Sequence, residues 1–165
     1  MNRFIKKKID LKQIFQENKW VIFLVLAKLG FVFFVIFFSY LFFDFNQGTY
    51  AVNFIYPEKE PVSLKSAFSA WDAKWYFFIA ENGYGNAMSS AFYPLYPAAI
   101  KLLNFIAKNS FLSGLLLSNL FTLVGSCFLF KILKNDFNET VAKESLILLL
   151  LFPTSFFFSL PYSES

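Results

Sequence analysis

Residues 20–43 read WVIFLVLAKLGFVFFVIFFSYLFF, 24 residues interrupted only by Lys28, Ser39 and a few small side chains. About 20 apolar residues in helical form cross the hydrocarbon core of a bilayer, so this run predicts a membrane-spanning helix. It exceeds the roughly 7–15 residues of a signal-peptide core. Residues 1–19 before it are polar, and no small-residue cleavage site follows, which predicts an uncleaved span. Lys28 lies about two turns inside the run, and its stem is expected to snorkel back to the interface.

Two further apolar runs lie downstream. Residues 111–133 (FLSGLLLSNLFTLVGSCFLFKIL) have spanning length, and Ser113, Gly114, Ser118, Gly125 and Ser126 permit close helix packing in lipid. Cys127 within this run reads as a small buried apolar residue. Residues 146–160 (LILLLLFPTSFFFSL) contain Pro153 and predict a kinked or broken helix whose freed backbone groups are satisfied by neighbours.

The composition agrees. The 165 residues are 57% hydrophobic, 22% aromatic and 16% charged, with 26 phenylalanines. An ordinary soluble domain is about 45–50% apolar and about 25% charged, and could not bury these runs together. Disordered chains are poor in aromatics and rich in charge, so disorder is excluded too. One cysteine and no histidine remove an internal disulfide, a zinc site and any Ser-His-Asp or Cys-His arrangement. The fold class expected is an all-α integral membrane protein. Its chemistry would rest on carboxylates, lysines, hydroxyls and aromatics.

Basic residues orient the spans. Residues 1–19 carry six: Arg3, Lys6, Lys7, Lys8, Lys12 and Lys19. Residues 44–110 carry five over more than three times that length, and the link 134–145 adds Lys134 and Lys143. The positive-inside tendency places the N-terminus and the link in the cytoplasm, and residues 44–110 and the PYSES tail outside. The organisation expected is therefore a basic N-terminus (1–19), a first span (20–43), an extracytoplasmic loop with short helices (44–110), a second span (111–133), a cytoplasmic link (134–145) and a truncated third span with an outer motif (146–165). Lysines beside a span serve topology or touch anionic lipid, so nucleic-acid binding is not expected. Phe4, Leu11 and Phe15 share one face of a short interfacial helix, a weak pattern that Ile5 and Ile9 spread.

The loop carries the chemistry. Residues 44–60 predict irregular structure, punctuated by Pro57 and Pro61. Ala73 to Glu81 predicts a helix with Asp72 as N-cap and Asn82-Gly83 as its stop. Tyr93-Pro94 and Tyr96-Pro97 predict extended backbone, because the residue before proline avoids the helical region. Ala98 to Lys108 predicts a second helix. Long ordered loops are more often functional than mere connectors. Asp72 has two compatible readings: a helix cap, or a carboxylate that takes a proton from a sugar or lipid hydroxyl. Trp71, Trp75 and Tyr76 could stack on a sugar face or anchor the membrane interface. Lys74 could pair with a phosphate leaving group or sit solvated among lipid headgroups. Glu164, beside Tyr162 and Ser163, is either an ionisable group at membrane depth or a plain terminal charge.

Three segments together, WDAKWYFFIAENGYG (71–85), AFYPLYPAAIKLL (91–103) and FPTSFFFSLPYSES (152–165), resemble the PIG-V family of polytopic mannosyltransferases, the relatives of GPI mannosyltransferase 2 and their prokaryotic members. Their order, with a span between the second and third, also resembles that family. The resemblance implies a glycosyltransferase of the GT-C type, inverting, that takes mannose from a polyprenyl-phosphate carrier. Asp72 matches the acidic residue of the first extracytoplasmic loop, which would be the catalytic base or an orienting group for the acceptor. By the same resemblance Tyr93, Pro94, Tyr96 and Pro97 would shape the loop, and Tyr162 and Glu164 would complete the outward-facing cavity. Trp71, Lys74, Trp75, Tyr76, Tyr93, Tyr96, Tyr162 and Glu164 are thus the candidate substrate-binding residues.

No cofactor or metal is expected beyond the lipid-linked donor. The partners implied are membrane lipid, that donor, and a glycan, lipid or protein acceptor. The membrane would be the plasma membrane in a prokaryote and the endoplasmic reticulum in a eukaryote. Family members have many more spans, so the chain reads as the N-terminal portion of a longer enzyme. The alternative is a small non-enzymatic scaffold or subunit that binds partners through its outer loop. A reading frame that continues past codon 165 into further apolar runs favours the enzyme.

Overall fold

The computed structural model describes residues 11–44, 63–69, 71–85 and 87–163. Among the described residues the chain is all-helical, without a strand: α1 (Leu11–Phe42), α2 (Leu64–Phe68), α3 (Ala73–Asn82), a 3-10 turn at Met88–Ala91, α4 (Leu95–Ala107), α5 (Ser110–Asp136), α6 (Glu139–Leu151) and a 3-10 segment at Pro153–Ser159. Two helices, Gln16–Phe42 and Ser110–Asp136, are long and apolar enough to cross a membrane. A third crossing is counted if α6 and Pro153–Ser159 form one broken span, bent by 86°. The irregular stretch predicted at 44–60 lies outside the described residues beyond Asp44, as do residues 1–10 of the interfacial pattern and Glu164. Leu11–Phe15 are helical and continuous with the spanning helix, so they form no separate element.

The helix ends follow their caps. Asn109 and Asn138 are extended at the starts of α5 and α6, and their Oδ1 atoms accept the Leu112 and Val141 N–H groups at 3.0 and 2.9 Å. Each satisfies a donor that the first helical turn leaves without a partner. Gly83 closes α3 at φ 78°, a left-handed position that glycine adopts without steric cost.

The second proline pair departs from expectation. Pro97 lies inside α4, which begins at Leu95 with Pro94 as its N-cap. A first-turn proline forfeits no hydrogen bond, because the N–H it lacks would have no helical acceptor. The preference of Tyr96 for extended backbone yields to the packing of this turn, where both Tyr96 and Pro97 are buried.

Three apolar clusters hold the molecule. At the end of the bundle near the α5–α6 turn, Val21 and Val25 of α1 pack with Phe130 of α5 and Leu146 and Leu150 of α6. At the other end Tyr76 and Ala80 of α3 pack with Tyr96 and Ile100 of α4. Between them, Ala73 meets Leu160 and Tyr162, with Ile36 and Phe68 alongside. This middle cluster joins the loop helices to the broken segment.

The α5–α6 turn is closed by charge. The Glu139 carboxylate pairs with Lys134 at 2.8 Å and Lys143 at 2.6 Å. The two hydrogen bonds, Lys134 first, hold its pKa from the usual 4.5 down to about 2. A lowered folded-state pKa gives stability that is complete above the unfolded value and lost as pH falls through the folded one. The contribution is small, because all three side chains are exposed and screened. Glu139→Gln is therefore expected to change the thermal midpoint little at neutral pH. It should remove the part of the acid-side decline that falls between about pH 4.5 and about pH 2, as read by thermal scans in detergent across that range.

Candidate functional site

The site is built where α3 begins and where the broken segment 152–163 ends. Trp71, just ahead of α3, sits at φ 49°, in the left-handed region that a bulky residue rarely enters. Such a conformation costs about 1–3 kcal/mol and persists only where surrounding contacts impose it. The contacts here are Phe156 and Phe157, whose rings lie 6.4 and 5.9 Å from the indole.

Asp72 occupies the N-cap position of α3 with helical backbone angles (φ −67°, ψ −21°), and its side chain makes no capping hydrogen bond. The capping reading of its carboxylate therefore does not hold. A cap takes extended angles that turn the side chain back over the N–H groups, and the helical angles of Asp72 point it elsewhere. The residue is exposed. An exposed carboxylate at this corner can accept a proton from a bound hydroxyl.

Further along α3, Ala73, Lys74, Tyr76, Ile79 and Ala80 are buried, because the helix packs on both α4 and α5. Tyr76 is buried; its hydroxyl shares a hydrogen bond of 2.7 Å with Ser163 Oγ, and its ring meets Phe92 and Tyr96 edge-on. Trp75 stacks on Phe92 at 5.8 Å. These two rings are engaged by protein. Lys74 is 8% exposed, so the solvated or headgroup-facing lysine is not found; the covering of two faces of α3 buries its stem. Asp72 and Tyr76, one turn apart, differ in surroundings, the first exposed and the second in the core.

Of the proline-turn residues, Tyr93 is 88% exposed. Tyr96 works from inside: its hydroxyl donates to Ser118 Oγ at 2.6 Å, with Gly114 O also 3.1 Å away, and Ser118 Oγ donates in turn to Tyr162 O at 3.1 Å. The Tyr162 side chain is buried, edge-on to Phe157 at 4.9 Å. Gly114 lets these parts approach: a Cβ there would lie 2.8 Å from Phe77 Cε1 and 3.1 Å from Pro161 Cβ. Of the small residues on this helix, Ser113, Gly114, Ser118 and Ser126 are buried, whereas Gly125 is exposed.

Beside the joint runs a groove of about 510 Å³, walled by α1 from Leu24 to Ile36, by Ala67 and Trp71, and by the broken segment through Pro153, Phe156 and Tyr162. The twelve helical steps from Leu24 to Ile36, at about 1.5 Å each, give it a length of about 18 Å. Its rim residues Phe31, Val35, Leu151 and Phe152 are exposed, and its floor at Val32, Leu150 and Leu160 is buried. Among the described residues Lys28 is its one charged lining residue. A groove of this composition suits a hydrocarbon chain.

The residues that sequence reasoning missed are those that hold the broken segment. Thr122 Oγ1 donates to Phe158 O at 2.6 Å, and Asn119 Nδ2 donates to Ser159 O at 3.1 Å. With Ser118 they form one polar stripe on α5, and a stripe of i, i+3 and i+4 polar residues in an apolar helix was the available signal. Lys28 completes the set. It does not snorkel: it is 6% exposed, and its Nζ donates to Ser155 O at 2.6 Å. Counted along Gln16–Phe42, it lies 12 residues from one end and 14 from the other, about 18 Å and about 21 Å of helix.

Among the described residues, no three His, Cys, Asp or Glu side chains gather as a metal site would need. The chain has no significant match among protein-family models, curated proteins or solved structures.

Proposed function

We propose that the chain carries the acceptor-activating part of a polytopic glycosyltransferase of the GT-C type. The enzyme would move mannose from a polyprenyl-phosphate carrier to an acceptor hydroxyl on the extracytoplasmic side, with the N-terminus in the cytoplasm. One observation supports this above the others. Residues 71–76 and 156–163, about 90 positions apart, meet through Trp71 on Phe156 and Phe157, Ala73 on Leu160 and Tyr162, and Tyr76 on Ser163. These are two of the three segments on which the family resemblance rests.

In the proposed reaction Asp72 accepts the proton of the acceptor hydroxyl. The hydroxyl oxygen attacks the anomeric carbon, the bond from that carbon to the phosphate oxygen breaks, and polyprenyl phosphate leaves with its electron pair. Displacement from the opposite face inverts the anomeric centre. The groove beside Trp71 would take the carrier chain, which leaves the head of the lipid at the Asp72 corner.

The test uses the protein translated from the complete reading frame, reconstituted in vesicles. Transfer of labelled mannose from polyprenyl-phosphate mannose, with release of polyprenyl phosphate, is expected. A nucleotide-sugar donor should give none. Transfer from the nucleotide sugar, or none from the lipid donor across lipid, glycan and protein acceptors, rejects this reading and leaves the membrane scaffold.

A further inference from the structure

A buried lysine within a helix long and apolar enough to span a membrane is costly, and such residues as a rule have a task. Among the described residues the ion pairs are those of Glu139 with Lys134 and Lys143, and no described carboxylate pairs with Lys28. Three weaker features compensate its charge. Its short bond to Ser155 O is charge-assisted, and its Nζ lies 5.2 Å from the centre of the Phe158 ring. It also lies near the end of α6, where the helix dipole presents negative charge. Ser155 is held from a second direction, because its Oγ donates to Leu150 O at 2.6 Å across the break at Pro153.

We propose that Lys28 is a positioning residue: by fixing the Ser155 carbonyl from α1, it sets the register of residues 152–163 against α3. Irregular backbone within a membrane holds its place only where protein groups satisfy it. Thr122, Asn119 and Ser118 do this from α5 at Phe158, Ser159 and Tyr162. Lys28 acts from the opposite helix and at the start of the segment, so it fixes the end that α5 leaves unheld. Phe156 and Phe157, the next residues, carry the contact to Trp71, and Ser163 carries the contact to Tyr76. The structural part of this stands on the geometry alone; its effect on catalysis rests on the function proposed above.

The experiment reads both parts separately. Nitroxide labels are placed on cysteines at the exposed positions Asn82 and Thr154 in a Cys127→Ser background, and their separation is measured by double electron–electron resonance in nanodiscs. A narrow distance distribution is expected for the parent and for Lys28→Arg, and a broadened or shifted one for Lys28→Met. Where Lys28→Met aggregates, Lys28→Gln, with a donor on a shorter stem, is read in its place. In the transfer assay the same variant is expected to lose kcat by about 100-fold with little change in the KM for the lipid donor, as an error of about 1 Å in a site can cause. Arg should restore most of the loss. An unchanged distance distribution overturns the proposal, and so does a raised KM with kcat intact, which would make Lys28 a donor-binding group. If the parent transfers no sugar while the distances shift as expected, the positioning role stands and the glycosyltransferase reading falls.

Discussion

Asp72→Asn in the protein from the complete reading frame is expected to lower mannosyl transfer by about 100- to 10,000-fold, the span a positioned general base supplies. The isosteric amide keeps the volume and the exposure of the side chain and removes only its basicity. Because Asp72 makes no capping bond to α3, the substitution should leave the helix and the thermal midpoint unaltered. That separation makes the measurement clean: a capping aspartate would lose stability and activity together. Membrane insertion, detergent elution and melting are compared with the parent, and single-turnover rates give the chemical step. Asp72→Asn retaining transfer within a few-fold would take the base away from this residue, and a fallen melting temperature would assign it a structural role.

Gly114→Leu is expected to separate the loop helices from the bundle. Even the first added carbon meets Phe77 Cε1 at 2.8 Å and Pro161 Cβ at 3.1 Å, with Ile100 Cδ1 at 3.5 Å. The Phe77 ring has an edge that could turn; Pro161 is tied to backbone between Leu160 and Tyr162, which are buried on Ala73. Overpacking of this kind costs about 1–3 kcal/mol for a few methylenes, whereas losing a helical glycine returns about 1 kcal/mol. Four extra carbons therefore leave a net loss. The hydrogen-bonded chain from Tyr96 through Ser118 to Tyr162 sits within one turn of the clash and should part with it. Gly125→Leu on the same helix is the control, since its Cβ would meet nothing within 4 Å. A lower melting temperature and new alkylation of a Tyr162→Cys reporter are expected for the first variant alone. Equal behaviour of the two would show that Gly114 is not the contact that sets this spacing.

The bundle could be read from the chain because its determinants are local. Trp20–Phe43 and Phe111–Leu133 announce themselves by length and composition; the second lies within an observed helix, and so does the first apart from Phe43, one residue past the end of α1. The break near the third run was legible in Pro153, and the end of α3 in Asn82-Gly83. Sequence did not reveal partners that meet across long separations. Lys28 and Ser155 are 127 positions apart, and the acceptor is a backbone carbonyl, which has the same covalent structure in every residue. Likewise Thr122, Asn119 and Ser118 are ordinary polar residues until the segment they hold is known. Tyr93 and Tyr96 look equivalent in the sequence, each before a proline, and only packing separates the exposed ring from the hydrogen-bonded one. The meeting of Trp71 with Tyr162 around one groove has no local signature in either segment.

The polar stripe that holds residues 152–163 also bears on how the molecule is made. Lys28, Tyr96, Ser118, Asn119 and Thr122 all precede that segment, so a ribosome working from the N-terminus has delivered every one of them before Pro153 leaves the exit tunnel. Residues 139–151 supply about 20 Å of helix and stop short of crossing on their own. Residues 152–163 therefore emerge with the side chains that hold their carbonyls already synthesised.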